Sequence, residues 1–356
     1  MSREVLLDEV WSSVIVTDES LTQAISELRR AVEVAGGDRD LVVTVPKSGY
    51  RLRTCAIEEI EGAQVYLDQE EVLPIDAYCA LLDAQNALIH GGPQAAKIAF
   101  ELASEAIGRA PDSGVANACC AIMLAHAVLY SAAGTFRLRT AIHLAQRAVC
   151  LSPQSSIAHA ALGFSLGAQD GGVAAMQALA RSMALGDETG EGHYLASRVA
   201  FVSGDHRNAA TLALRCAELV PDPSRPLFLA ARATRFFDTA KSCAIAARCV
   251  RTLNERFADH PDEPRSQYTL GPALALAGDF EAAWRHLSKP RSDQSICLIH
   301  DFFGFALLNE NARALDALES ALDDGYRHGQ WLLSEPSVTE LRANQRFQNL
   351  TAAIAA

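Results

Sequence analysis

Pro153 and Pro221 stand 68 residues apart, twice 34, and Asp187 falls midway between them. With these residues at position 32 of a 34-residue unit, three consecutive units start at Ile122, Ser156 and Gly190. Small residues then fall in register: Ala141, Ala175 and Ala209 at position 20, and Ala148, Ser182 and Cys216 at position 27. Position 24 carries Ala145, Leu179 and Ala213, and Leu162-Gly163 lies in the first half of its unit. Upstream, Pro111 sets another unit with Ala99, Ala103 and Ala106 in phase, separated by a lengthened first helix. Downstream, units starting near Ser224 and Pro264 fit Cys243 and Ala247, and Leu270-Gly271 with Ala283. A unit of this length is too short to bury its own apolar face. It must stack on its neighbours, and small residues at fixed positions let paired helices approach closely.

The Leu-Gly pair, the small residue at position 20 and the period together resemble tetratricopeptide repeats. The resemblance implies an α-solenoid of about six degenerate helix pairs over residues 76–356. The tail Ala314-Leu-Asp-Ala-Leu-Glu, Gly325-Tyr326, Glu335-Pro336, Leu341-Arg342 and Arg346-Phe347 would cap the last repeat. In such arrays the first helix of each pair lines a concave face. Counting forward places His126, Tyr130, Phe164, Tyr194, Arg198, Phe201, Arg225, Phe228, Arg232, Arg235 and Tyr268 there. Aromatic residues and arginine are the side chains most enriched at binding hot spots. The arginines therefore point to a groove for a protein, an acidic peptide or a carboxylate ligand. The same aromatics could instead turn inward as core, leaving the arginines solvated.

Residues 2–54 follow a different grammar. Val5, Leu6, Leu7, Val10 and Trp11 form one helical face, and Val14–Val16 reads as a short extended piece. Thr17 and Asp18 offer caps for a second helix, along which Leu21, Ile25, Leu28 and Val32 form an apolar stripe. Gly36-Gly37 ends it. Residues 41–45 and 50–52 then read as strands joined by Pro46-Lys-Ser-Gly49. Helix, helix and hairpin, with Thr17-Asp-Glu-Ser-Leu21, Ile25-Ser-Glu-Leu-Arg-Arg30 and Thr44-Val-Pro-Lys-Ser-Gly-Tyr-Arg-Leu52, strongly resemble the C-terminal half of an OmpR/PhoB-type winged helix.

In that family the second helix enters the major groove and the wing reaches the minor groove. The resemblance therefore implies contacts to promoter DNA from Thr22, Gln23, Ser26, Arg29 and Arg30, and backbone contacts from Lys47 and Arg51. The family's sheet platform and first helix are not found before Arg3, so Leu6, Val10, Leu21 and Ile25 are expected to lack part of their cover. Residues 2–54 also carry seven basic and nine acidic side chains, a net of −2. A fragment that no longer reads DNA is thus the alternative, leaving the array as an interaction scaffold. Winged helix plus repeats resembles the HilA-like and CadC-like transcriptional regulators. Residues 55–75, acidic and ending near Pro74, read as a linker.

Composition narrows the function further. A net charge of −12 excludes a general polyanion binder, and 49% hydrophobic residues allow a large core. No apolar run approaches the ~18 residues that cross a bilayer, and no signal segment opens the chain, so a cytoplasmic location with no membrane partner is expected. The nine cysteines include no C-x-x-C and no paired histidines, which signals neither a metal site nor a disulfide frame. They read as small buried hydrophobes. No G-x-x-x-x-G-K-[ST], G-x-S-x-G or H-E-x-x-H occurs, so neither enzymatic chemistry nor a cofactor is expected.

Overall fold

The computed structural model describes residues 18–34, 42–45, 49–52, 73–89, 92–130, 134–169, 172–186, 189–259, 264–289 and 295–355. The helix read over 3–11, the extended piece 14–16 and most of the linker lie outside them. The chain divides into two compact units, Met1–Glu61 and Gly62–Ala356.

In the first unit, helix α1 (Asp18–Val34) precedes an antiparallel hairpin of β1 (Val42–Val45) and β2 (Gly49–Leu52). The register pairs Val42 with Leu52 and Val45 with Gly49. Leu21, Val42 and Tyr50 form the core, with Ile25 against it. The hairpin is too small to cover the whole stripe: Leu28, expected inside, is 42% exposed.

The second unit is helical throughout its described residues. Its antiparallel pairs are α2 (Ile75–Ile89) with α3 (Gly92–Arg109), α4 (Gly114–Tyr130) with α5 (Gly134–Leu151), and α6 (Ser156–Gln169) with α7 (Val173–Ala184). They continue as α8 (Glu191–Val202) with α9 (His206–Leu219), α10 (Ser224–Thr234) with α11 (Thr239–Asp259), and α12 (Pro264–Ala277) with α13 (Phe280–Leu287). A seventh pair, α14 (Ser295–Leu307) with α15 (Asn311–Asp323), stands where the sequence suggested about six. The stretch from Ala314, read as part of the cap, is the second helix of that pair. A short helix α16 (Gly329–Leu333) and helix α17 (Gln345–Ala355) close the array.

The periodic small residues explain the stacking. Ala141, Ala145, Ala148 and Ala175 are at most 1% exposed. A Cβ on Gly163 would sit 2.5 Å from Cγ of Leu179 and 2.8 Å from the Ala175 carbonyl oxygen. Position 8 of one helix thus meets position 24 of its partner, and Gly271 repeats the contact with Leu287 at 2.7 Å. Gly163→Ala should cost about 1–3 kcal/mol through overpacking, read as a lower urea midpoint.

Turns inside the pairs are equally local. Gly204 and Gly278 adopt φ of +83° and +89°, and the amides of Asp205 and Asp279 donate back to Ala200 and Leu274. Each aspartate carboxylate then accepts the amide three residues on, Asn208 at 3.3 Å and Ala282 at 3.1 Å, capping the next helix. The unit start read at Ile122 falls inside α4, which begins after Pro111 as a lengthened helix. Among the cysteines, Cys119, Cys120, Cys216, Cys249 and Cys297 are buried as expected, whereas Cys79 and Cys150 are exposed. Burial pushes the Cys120 thiol up to about 11, so it packs as an inert hydrophobe.

Candidate functional site

The DNA-reading residues expected in the first unit divide into three groups. Thr22, Gln23, Ser26 and Arg30 are exposed along α1. Arg29 is not. Its Nε and Nη2 donate to the Val42 carbonyl at 2.9 and 2.6 Å, and Nη2 also donates to Thr44 Oγ1 at 2.8 Å. That guanidinium ties α1 to β1, so its first task is structural rather than base reading. Lys47 lies outside the described residues. Arg51 pairs with Val43 in the hairpin, and its side chain lies outside them too.

In the second unit, the residues read as a concave surface converge, but they are covered. His126, Phe164, Arg198, Phe201, Phe228, Arg232 and Tyr268 are all at most 8% exposed. Their expected exposure as a groove is therefore corrected, as is the alternative of solvated arginines. The covering element is the chain's own C-terminal segment. Trp331 of α16 lies 5.1 Å from the Phe201 ring, and Ser334 Oγ donates to the Val202 carbonyl at 3.3 Å. Glu335, 2% exposed, forms an ion pair with Arg232.

Arg232 sits in an aromatic box, its guanidinium carbon 4.7 Å from Trp331, 5.0 Å from Phe303 and 5.2 Å from both Phe201 and Phe228. Arg198 is held between Phe164 and Trp331, 5.1 Å from each ring, and donates through Nη1 to Nδ1 of His126 at 3.1 Å. His126 must accept there, so its proton rests on Nε2. Burial, then Arg198, Arg225 and His328, push the His126 imidazole well below its ordinary value. Burial, then Arg198 and Arg232, do the same to His328. The field is positive, and both rings are neutral near pH 7.

Tyr194 and Arg225 flank the cluster, half-buried, with the guanidinium 4.1 Å from the ring. Burial raises the Tyr194 phenol, but Arg225 and Arg198 together outweigh it and the net shift is downward. Arg235, the C-cap of α10, is half-buried and not drawn into the box. Tyr130 ends α4 with its side chain outside the described residues. Sequence reasoning missed the C-terminal contributors His328, Trp331 and Glu335, together with Phe303. Their signal was the aromatic content of a tail that follows the last pair. No helix among the described residues is long and apolar enough to cross a membrane.

Residues 1–52 match the sequence model of the family described as transcriptional regulatory protein, C terminal. Over 77 residues the chain is 39% identical to the transcriptional activator CadC of Escherichia coli strain K12, covering 21% of this chain and 15% of that protein. The match thus spans a small part of the curated relative. Among solved structures, the human IFIT1 dimer with m7Gppp-AAAA superposes with a TM-score of 0.55 at 11% identity, over 94% of this chain and 77% of that one. A tetratricopeptide repeat protein from Parabacteroides merdae superposes with a TM-score of 0.42 at 11% identity, over 80% of this chain and 100% of that one. The chain joins a segment like that regulatory domain to an array of stacked antiparallel helix pairs.

Proposed function

We propose that this chain is a cytoplasmic, non-enzymatic DNA-binding transcriptional regulator whose repeat array docks a protein or small ligand. The observation that carries the reading is the regulatory-domain match over residues 1–52. It coincides with an α1 that exposes Thr22, Gln23, Ser26 and Arg30 while Arg29 locks the helix to the hairpin. Such an arrangement suits a rigid helix presented to a groove, with hydroxyl and amide groups for base edges and Arg30 for phosphate or guanine.

A second reading has an observation of its own. Arg29 is consumed inside the unit, which leaves Arg30 as the basic residue on the exposed face of α1, and residues 2–54 carry net −2. That balance favours a scaffold whose N-terminal unit does not bind DNA. Fluorescence anisotropy on duplexes selected from a random pool separates the two. A regulator gives saturable binding whose log affinity falls with log salt, and Arg30→Ala weakens it and lowers the slope by about one if Arg30 contacts phosphate. Absence of saturable binding at low salt leaves the scaffold.

A further inference from the structure

We propose that the pocket between α6, α8 and the C-terminal segment binds a small monocarboxylate with a short apolar body. The proposal deepens the docking reading of the array and rests on it, but not on DNA recognition. Phe164, Val199, Val202 and Trp331 form apolar walls, and Arg198 and His328 supply the polar groups. The empty volume, counting the open mouth, is about 310 Å³.

Two observations point to a missing anion. Arg198 is 7% exposed, yet among the described residues no carboxylate lies within ion-pair distance of it, and His126 is its hydrogen-bond acceptor. The neighbouring carboxylate, Glu335, is taken by Arg232. A guanidinium that is buried and stacked between two rings, but left without an anion, is costly unless a ligand completes it. His328 is also 7% exposed and lines the same pocket, with its ring against Trp331 at 5.7 Å. Among the described residues its ring nitrogens have no hydrogen-bond partner, so its N–H is available to a second carboxylate oxygen.

The polar groups select the headgroup and the walls select the body. One guanidinium beside a neutral imidazole balances a single negative charge, which suits a carboxylate better than a phosphate dianion. Valines and aromatic faces offer nothing to a polar body and favour a short apolar one.

Isothermal titration calorimetry on the full chain, without DNA, tests the assignment with acetate, propionate and butyrate at constant ionic strength. Propionamide and chloride serve as controls. One saturable site per chain is expected for propionate, with propionamide at least about tenfold weaker through loss of the charge-assisted bonds. Arg198→Gln should weaken binding about ten- to hundredfold. Val202→Phe, which fills the apolar wall and spares Arg198, should do likewise, and it decides the matter if Arg198→Gln fails to fold. No saturable heat with wild type overturns the proposal, as does binding that survives Val202→Phe. Equal competition by chloride overturns it too, by showing an anion site with no place for an apolar body. In each of these cases the array remains open to protein partners.

Discussion

Glu335→Ala should lower the stability of the cap on the array by about 3–5 kcal/mol, the cost of stripping one partner from a buried ion pair. Glu335 and Arg232 side chains are 2% and 5% exposed, so water cannot take over the lost role without opening the packing. The four rings around Arg232 soften the loss but do not neutralise the charge, since cation–π attraction is worth about 2 kcal/mol even when desolvated. In a repeat array such a loss need not unfold the whole chain. Stability is a sum of local terms, and the weakest unit opens first. The measurement is therefore hydrogen exchange of residues 329–343 beside the urea midpoint. Protection should drop there and persist in α4 to α7. Arg232→Met combined with Glu335→Leu should recover most of the loss, because a packed apolar pair avoids both desolvation costs. Unchanged exchange in Glu335→Ala would mean that the pair is solvated and the cap held by other contacts.

Much of the array was legible because close helix approach dictates residue size. Gly163 faces Leu179, and Gly271 faces Leu287, at the same two positions of the 34-residue unit. No larger residue fits, so the period survives where the rest of the repeat has drifted. The seventh pair escaped because α14, SICLIHDFFGFAL, is apolar on nearly every side and shows no phase. Its Gly304 meets Leu287, the residue that Gly271 also meets, so the contact is conventional and only its signal is hidden.

The candidate site was half legible. Helical arithmetic placed Phe164, Arg198, Phe228 and Arg232 on one surface, and they do meet. What covers that surface depends on a segment folding back from more than a hundred residues away, as Ser334 does to reach Val202. Periodicity carries no information about such a return. Arg29 shows the same limit at smaller scale. Its position on the flank of α1 was readable, but not that its long side chain would reach the Val42 carbonyl.

Acidification should loosen the same cluster. His126 and His328 are 8% and 7% exposed, and burial followed by nearby arginines holds both imidazoles well below their ordinary value. In the unfolded chain each titrates near the usual histidine value of about 6.5. Protons therefore bind the unfolded state first, and the stability contributed by the neutral rings is present above that pH and lost as pH falls through it. Each ring contributes a limiting slope of about 1.4 kcal/mol per pH unit below the unfolded value, so stability falls increasingly steeply as pH drops from about 7 toward about 5.5. Protonating His126 also destroys the lone pair on Nδ1 that accepts from Arg198, adding charge repulsion to a lost hydrogen bond. Urea midpoints across this range, with Trp331 fluorescence reporting on the cluster, should fall steeply for wild type. His126→Gln and His328→Gln should each remove about half of the slope, since neither amide titrates. Carboxylates elsewhere titrate alike in every variant and cancel in the comparison. If the double variant keeps the full wild-type slope, the acid sensitivity belongs to other groups and the two buried rings do not control it.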